Sequence, residues 1–485
     1  MKSPSLKKNF IFNAILNMSG FLFPLITFPY VARIIFPVGT GKVAFATSFV
    51  AYFNLLARLG IPTYGVRVCA KVRDDKLALS RTAHELLFIN LVMSLVAYGL
   101  LAICMYFIPQ VREEKLLFAV ISLTIILNSI GMEWLYVALE QYSYITARSI
   151  VFKVVVLVCT FLFIHAEDDY IIYGGMTILA SSASNVLNFL HARKHILMRP
   201  LGGYDVRRHM KAVMIFFAMT CSVTIYTNLD AVMLGFMTSD VDVGYYNAAV
   251  KIKNILVSMV TALGAVLLPR ASYYVEHGMM DDFYRISKKA LNFVLLAASS
   301  IMLYFIFFAR EGIFFLSGPA YEGAVLPMQI IMPTLLLVGL TNILGTQMLV
   351  PLGREKTVLY AVIAGAVTDI ILNALLIPRY AAAGAAIGTV AAELAVFLVE
   401  LYALRREVWS VFRSFPYWKL VLALILGSAA SLWVKLLSLG NFPVLVLSAI
   451  CFFAVYALTL LVTKENLACE VWAMCLGKLC KLMKK

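Results

Sequence analysis

A stripe of polar side chains interrupts an otherwise apolar stretch in the middle of the chain. Asn247, Lys251, Asn254 and Ser258 follow one another at steps of four, three and four residues, which is one face of a helix. Together they supply hydrogen-bonding groups and one positive charge. A cation at the centre of a bilayer costs about 2.5–3.5 kcal/mol on insertion scales, so such a face needs a wet environment. We therefore predict that Lys251 lines a polar cavity.

Three further cations lie inside apolar stretches. Arg33 is near the outer end of its stretch, and Arg58 is about two turns from the inner end of the next one, assuming helices of 3.6 residues per turn. Each of these two either extends to the membrane interface or faces the same cavity. Lys253 lies about 200° around the helix from Lys251 at 100° per residue, so we expect it to extend outward.

Acidic residues inside apolar stretches form a second set, comprising Glu133, Asp230, Asp369, Glu393 and Glu400. Asp230 follows three threonines at helical spacing, Thr220, Thr224 and Thr227, which suggests a second polar helix face. Two interpretations are open for Asp230. It is either a partner that pairs with a lysine and holds helices together, or a site where a proton or sodium ion competes for the carboxylate.

The elements that carry these residues are membrane helices. The chain of 485 residues is 62% hydrophobic and 14% charged, whereas soluble domains average roughly 45–50% and about 25%. Runs of about 20 apolar residues suffice to cross a bilayer as a helix. Fourteen such runs lie near 10–33, 43–65, 84–108, 116–138, 149–165, 170–190, 211–235, 245–268, 290–309, 324–350, 357–377, 383–404, 417–437 and 442–463. The sequence therefore predicts an all-α polytopic membrane protein.

The distribution of charge predicts the orientation. The net charge of +15 reflects the excess of Lys and Arg in cytoplasmic loops, and it does not call for a nucleic-acid partner. With fourteen spans and a cytoplasmic N-terminus, the inner segments hold 31 of the 41 Lys and Arg and the outer segments hold six. We therefore place both termini in the cytoplasm. The eight cysteines lack the spacing of a metal or redox site.

A faint internal repeat predicts how the spans are organised. At an offset of 203, Gly41 falls on Gly244, and at 214, Asn128 and Gly131 fall on Asn342 and Gly345. Two halves of six spans would have the same orientation, an arrangement that places a transporter's site between the halves. We predict a lobe at 1–208, a second lobe at 209–410, and an addition at 411–485 comprising spans 13 and 14 and a basic amphipathic tail.

Several strings in spans 1 to 12 are specific in combination. They are LGIPTYGVRVCAKVRDD (59–75), ALEQYSYITARSIVFK (138–153), TNLDAVMLG (227–235), the glycine and two tyrosines at 244–246, LLPRAS (267–272) and PLGREK (351–356). They resemble the oligosaccharide flippase family, the Wzx-like group of the multidrug/oligosaccharidyl-lipid/polysaccharide (MOP) exporter superfamily. The stretch 28–41 departs from the family, which commonly has glycine before Pro37 and an acid after it. Phe36 and Val38 stand there in this chain.

The resemblance implies a MATE-like fold of two six-helix lobes, to which the two C-terminal helices are added. It implies transport of polyprenyl-pyrophosphate-linked oligosaccharides, precursors of O-antigen, capsule or similar polymers, to the outer leaflet of the bacterial inner membrane by alternating access. Lys251 would then bind the phosphates with Arg58 and Arg33, beside Asn247 and Asn254. The expected partners are this substrate, membrane lipids, a polysaccharide polymerase and a chain-length regulator.

The sequence also leaves rival functions to weigh. No cofactor is expected beyond a coupling proton or sodium ion, for which Asp230 is the candidate. The nearest rival is a small-molecule exporter of the MATE branch, which predicts acids that hold cationic drugs. An enzyme would need a sizeable loop outside the membrane or a clustered catalytic set, and neither is apparent in the sequence. We therefore predict a transporter.

Overall fold

The structure is a computed structural model that describes residues 6–470, 472 and 473, and within these residues it is built of helices without strands. The chain divides by packing into two compact units, Met1–Asn247 and Ala248–Lys485. This division follows internal contacts. The lobes that the repeat predicts, with boundaries at 208 and 410, stay a prediction.

The first unit contains ten helices and the start of an eleventh. They are α1 (Leu6–Arg58), α2 (Ile61–Lys71), α3 (Lys76–Phe107), α4 (Pro109–Glu113), α5 (Lys115–Ile130), α6 (Glu133–Ala138), α7 (Tyr142–Phe163), α8 (Tyr170–Ile178), α9 (Asn185–Ala192), α10 (Arg207–Met237) and α11 (Asp240–Glu276). A 3₁₀ turn covers Glu167–Asp169, and a π-helical turn at Leu179–Ala183 joins α8 to α9.

The second unit continues α11 and adds eight helices. They are α12 (Met280–Phe307), α13 (Ala309–Leu316), α14 (Val325–Ile331), α15 (Thr334–Thr341), α16 (Glu355–Ala403), α17 (Arg405–Ser414), α18 (Tyr417–Leu432) and α19 (Asn441–Val462). The 3₁₀ turns are Pro319–Ala324 and Trp433–Leu436, and a longer π-helical turn, Asn342–Leu349, follows α15.

The prediction of an all-α membrane protein is confirmed, and the number of crossings is compatible with fourteen. Within the described residues, nine helices are long and apolar enough to cross a membrane, and two bent helix pairs bring the number to 11. Two of the nine, Met18–Lys71 and Glu355–Ala403, contain 54 and 49 residues. Since one crossing needs about 20 residues, each of these is long enough for two.

Breaks inside the two longest helices divide each into two limbs. In α1 the break is at Phe36, where φ is 55° and ψ is −178°. The ring of Pro37 disfavours helical geometry at the residue before it, which explains the position of the break. In α16 the break is at Ala381, where φ is 45°, three residues after Pro378. These breaks account for the boundaries between predicted spans 1 and 2 and between spans 11 and 12.

Each unit has its own apolar core. In the first unit a cluster of fully buried side chains, including Ile61, Leu86 and Leu135, joins α2, α3 and α6. In the second unit Leu291, Leu344 and Phe452 belong to a larger cluster that includes α12 and α19. Of the predicted amphipathic tail, the lysines from Lys478 onward lie outside the described residues.

Candidate functional site

The two limbs of α1 hold Arg33 and Arg58 at different places. Arg33 lies on the first limb, three residues before the break, where its side chain is exposed and donates to the Pro29 carbonyl. Arg58 is the last residue of the second limb and is half-buried. Of the two predicted arginines, Arg33 is therefore exposed, whereas Arg58 is partly covered by neighbouring residues.

Arg58 belongs to a group of charges centred on Glu133. Glu133 is the first residue of α6, and Met132 before it adopts a left-handed conformation with φ of 41° that turns the chain from α5 into α6. Arg58, Arg148 and Lys153 each interact electrostatically with this carboxylate. We call these four residues the Glu133 cluster. Three positive charges against one negative charge leave the cluster cationic.

Helix α7 contributes two of the three cations. Arg148 is only 7% exposed, and its Nη1 donates to the Ser184 carbonyl oxygen at 3.1 Å and to Asn185 Oδ1 at 3.3 Å. Its buried Nε has no hydrogen-bond partner among the described residues. Lys153, which is half-buried, donates from Nζ to Ser19 Oγ at 2.8 Å. Arg148 and Lys153 thus donate hydrogen bonds to neutral partners, and one further donor of Arg148 is available to a ligand.

Sequence reasoning missed both of these cations. Arg148 lies one residue before the predicted span 149–165, and Lys153 lies inside it, but the loop count assigned both to inner segments. The signal was available, because Arg148 and Lys153 stand in the string ALEQYSYITARSIVFK that carries part of the family resemblance. Their common target, Glu133, is remote in sequence, so only the fold could bring the three together.

The polar stripe lies on α11, with its members on one helical face. Asn247, Lys251 and Ser258 are half-buried and Asn254 is exposed. The buried positions of the same helix are apolar and include Ala248, Ile252, Leu256 and Val260. The stripe is therefore the accessible side of α11. Asn247 is the last residue of the first unit, whereas Lys251 and Asn254 belong to the second. A cavity-lining role for these three residues stays a prediction.

Asp230 is held by a hydrogen bond from the next helix. It is 7% exposed on α10, and the hydroxyl of Tyr246 on α11, itself 5% exposed, donates to Asp230 Oδ2. This contact lies within the first unit. The role of Asp230 in ion coupling stays a prediction.

Helix α16 of the second unit carries buried polar residues, including two of the acids that the sequence places inside apolar stretches. Asp369 and Asn373 lie on the first limb of α16, and Thr389 and Glu393 lie on the second limb, all less than 9% exposed. A Cβ atom on Gly388 would overlap Asn373 Oδ1 and would lie 3.3 Å from Asp369 Oδ1. Gly388 therefore lets the two limbs pack closely with polar groups between them. Within the described residues, no group of three or more His, Cys, Asp or Glu is placed to hold a metal ion.

Comparisons with known proteins agree on family and fold. The family of polysaccharide biosynthesis proteins matches residues 6–275. A protein of Escherichia coli (strain K12) named "Putative O-antigen transporter" is 25% identical over 405 residues, which cover 83% of this chain and 97% of that protein. A protein of the same name from Shigella dysenteriae is 23% identical and covers 82% of this chain and 100% of that protein.

Two solved structures share the fold. The lipid II flippase MurJ, in an inward closed conformation, superposes with a TM-score of 0.70 at 16% identity, covering 94% of this chain and 99% of that chain. An inward-facing multidrug resistance MATE family transporter of the MOP superfamily superposes with a TM-score of 0.62 at 13% identity, covering 81% and 95%. The fold is therefore that of the MOP transporters.

Proposed function

Because the chain belongs to the family of polysaccharide biosynthesis proteins, we propose that it is a flippase for a lipid-linked oligosaccharide. The proposed substrate is an oligosaccharide joined to a polyprenyl lipid by a pyrophosphate, which moves from the cytoplasmic to the outer leaflet of the bacterial cytoplasmic membrane. The names of two relatives, both O-antigen transporters, and the fold shared with a lipid II flippase support this proposal. A transporter of this kind changes the location of its substrate and not its covalent structure.

The Glu133 cluster is the observation that carries the proposal. A pyrophosphate linked to lipid and sugar is anionic, and it cannot enter hydrocarbon without partners that replace its hydration. Charge-assisted hydrogen bonds from guanidinium and ammonium groups are short and strong, and Arg binds phosphate through a planar fork. Arg58, Arg148 and Lys153 supply such donors, with a net positive charge after Glu133 is counted.

The polar stripe of α11 offers further groups of the kind that such a headgroup needs. Lys251 would bind phosphate oxygens, while the amides of Asn247 and Asn254 can exchange hydrogen bonds with sugar hydroxyls. Arg33 would assist from its exposed position on α1. Alternating access would expose these groups first to one side of the membrane and then to the other. Transport would be coupled to a proton or sodium ion, and Asp230 is the candidate residue.

The runner-up function is export of small cationic molecules by a MATE-type mechanism. The buried acids of the second unit, Asp369 and Glu393, favour it, since carboxylates hold cationic drugs. The fold similarity to a MATE transporter is consistent with it as well. The cationic Glu133 cluster disfavours it, because an excess of positive charge repels such substrates.

A flipping assay tests the proposed function directly. The purified protein is placed in proteoliposomes with a polyprenyl-pyrophosphate oligosaccharide in the inner leaflet, and the appearance of the sugar outside is followed with an impermeable lectin or glycosidase. We expect protein-dependent flipping that Arg58→Gln together with Lys153→Gln reduces at least tenfold. Exposed cations changed in the same way, Arg193→Gln and Arg199→Gln, serve as the control pair. Export of cationic dyes without any flipping would favour the runner-up.

The proposed orientation has its own test. A reporter fused after Asp169 should read periplasmic, and one fused after Arg208 should read cytoplasmic. The reverse reading at either position would contradict a fourteen-span topology with both termini inside. A polysaccharide polymerase and a chain-length regulator are the proposed protein partners, and crosslinking in cells that make the polymer would detect them.

A further inference from the structure

A carboxyl group of the second unit is buried against a π-helical turn. Glu400 lies near the end of α16 and is 2% exposed. A Cβ atom on Gly345 would overlap Glu400 Oε1, so the carboxyl group packs directly on the backbone of the turn Asn342–Leu349. Inserted π turns are rare and are frequently found at functional sites. The glycine leaves the space that the carboxyl group occupies.

One oxygen of this carboxyl group is buried without a hydrogen-bond partner among the described residues, as are two amide oxygens of the π turn. The three atoms are Glu400 Oε2, Gln347 Oε1 and Asn342 Oδ1. Asn342 is the first residue of the π turn and Gln347 lies near its end, and both side chains pack against Gly264 of α11. A carboxylate is an acceptor only, whereas a carboxylic acid is a donor as well. Protonation therefore removes an unpaired charge from this buried position and makes the carboxyl group a donor.

The charged groups around Glu400 do not neutralise it. Helical segments that pack closely on α16, namely α14, α15 and the π turn, carry no charged residue. Glu393, two turns earlier on α16, adds a repulsive negative charge. On α17, the Arg405 guanidinium lies 4.2 Å from the centre of the Tyr402 ring, and Glu407 pairs with Arg354 at 3.1 Å. Arg406, the remaining charge at the start of α17, is exposed.

The position in the first unit that corresponds to Gly345 in the internal repeat has a different neighbour. Gly131 of the first unit is the repeat counterpart of Gly345, and a Cβ atom on it would overlap the Asn185 side chain. Asn185 therefore takes the position opposite the glycine that Glu400 takes in the second unit. Asn185 is neutral and hydrogen-bonded, to Asn128 at 3.0 Å and to Arg148 at 3.3 Å. In the second unit an acid takes the place of this bonded amide, and no cation forms a salt bridge with it among the described residues.

We propose that Glu400 forms a proton-binding site, distinct from the candidate ion site at Asp230, that loads and releases one proton during each transport cycle. The step is carboxylate plus proton giving carboxylic acid, and no other bond changes. A proton needs only one acceptor, whereas metal cations in proteins gather several oxygen ligands. The coupling role rests on the proposed function, since it requires transport, but proton binding itself does not.

Infrared difference spectroscopy tests proton binding without transport. The carbonyl stretch of a protonated carboxyl group is distinct from that of a carboxylate, so wild type minus Glu400→Gln isolates the band of Glu400. We expect an acid band at neutral pH that vanishes at high pH and that added sodium leaves unchanged. Glu355→Gln, a change at an exposed glutamate on the same helix, should retain the band. Absence of the band across the pH range, or its loss on adding sodium at constant pH, would overturn the proposal.

A transport experiment distinguishes a failure of this proposal from a failure of the proposed function. In proteoliposomes with a pH gradient, wild type should flip substrate faster than without the gradient, and Glu400→Gln should lose that acceleration while it still binds substrate. The coupling role of Glu400 is contradicted if Glu400→Gln is still accelerated by the pH gradient, or if the wild-type flipping rate does not depend on the gradient. In either case the proposed flippase function is unaffected. If wild type does not flip at all, the proposed function fails and the infrared result still decides proton binding. Isotope-labelled glutamate in wild type replaces the variant should it not fold.

Discussion

Gly41 and Gly244 occupy reciprocal positions in one backbone contact between α1 and α11. A Cβ atom on Gly41 would overlap the carbonyl oxygen of Asp240, and a Cβ atom on Gly244 would overlap the carbonyl oxygen of Pro37. Both pairs are related by the same sequence offset of 203. Such reciprocity is what a local two-fold relation between repeated segments produces. The contact therefore gives the faint repeat in the sequence a physical counterpart.

The first prediction concerns these two glycines. Gly41→Ala and Gly244→Ala should each lower the free energy of unfolding by about 1–3 kcal/mol, since the added methyl meets backbone that cannot rotate away. Gly99→Ala is the matched control, because nothing lies within 4 Å of a Cβ at Gly99 in α3. There the change should be neutral or stabilising by up to about 1 kcal/mol. Thermal unfolding in detergent measures all three. Equal stability in the Gly41, Gly244 and Gly99 variants would contradict the close approach.

The repeat also shows how far the sequence determines the fold. Hydropathy alone predicted an all-helical membrane protein. Each crossing spans about 20 residues, and their backbone N–H and C=O groups must hydrogen-bond within the same helix because the bilayer core holds no water. Hydropathy could not show that α1 runs through Phe36 with a single break, or that a π turn separates α8 from α9. Such local features depend on which partner packs against the helix, and the amino-acid pattern of one helix does not contain that information.

The candidate site was harder to predict for the same reason. The stripe of Lys251 was readable because its members share one helix. The Glu133 cluster joins Arg58, Arg148 and Lys153 from two other helices, α1 and α7, and no spacing rule links them. Charged residues within one span can be identified from the sequence, whereas a cluster of charged residues from several spans can be identified only from the tertiary fold.

The second prediction concerns the break in α1. Phe36 has φ of 55°, a region that costs a residue with a side chain about 1–3 kcal/mol and that glycine adopts freely. Its side chain is 38% exposed, so little burial is lost on removing it. After allowing about 1 kcal/mol for the added flexibility of the unfolded chain, Phe36→Gly should leave stability unchanged or raise it by up to about 2 kcal/mol.

A control in a regular helix makes this prediction sharp. Phe88 in α3 is 58% exposed and helical, so Phe88→Gly should lower the free energy of unfolding by about 1 kcal/mol. Thermal unfolding of the two variants under one condition gives the comparison. A loss in Phe36→Gly as large as that in Phe88→Gly would mean that the left-handed conformation carries no strain.

The third prediction concerns pH and a pair of histidines, His191 in the last turn of α9 and His195 just after it. Burial, then the neighbouring His191 and Lys194, lower the pKa of His195, and neither of its ring nitrogens has a hydrogen-bond partner among the described residues. A histidine whose pKa is lower in the folded state is held neutral there, while the unfolded chain takes up the proton first. Stability is then full above about pH 6.5 and falls as the pH drops below it.

Replacing the ring by one that cannot be protonated should flatten this dependence. We expect His195→Phe to lose less thermal stability than wild type when the pH is lowered from about 7.5 to about 5.5, on either side of the ordinary histidine pKa. Its aromatic contact with Tyr136, at 5.9 Å between ring centres, can persist in the variant. His277→Phe, at an exposed histidine, is the matched control. An acid-induced loss in His195→Phe equal to that of wild type would rule out His195 as the cause.

The fourth prediction returns to the polar stripe and asks whether Lys251 binds phosphate. If it does, positive charge matters more than side-chain shape, although arginine presents its charge as a planar fork. Flipping should therefore fall by most of its rate in Lys251→Ala, persist in good part in Lys251→Arg, and be lowest in Lys251→Glu, which repels the pyrophosphate. Lys253→Ala, on another face of α11, should have a mild effect. Flipping in proteoliposomes gives the order, with the amount of folded protein measured separately.

A double variant separates phosphate binding from a structural role. If Lys251 served only to balance a buried acid such as Asp230, changing both residues to alanine would remove an unpaired charge together with its partner and would restore folding and much of the activity. If Lys251 binds the pyrophosphate, the double variant would fold and still fail to flip substrate, because the ammonium group that binds the phosphate is missing. Full activity in Lys251→Ala alone would end the phosphate-binding role of Lys251.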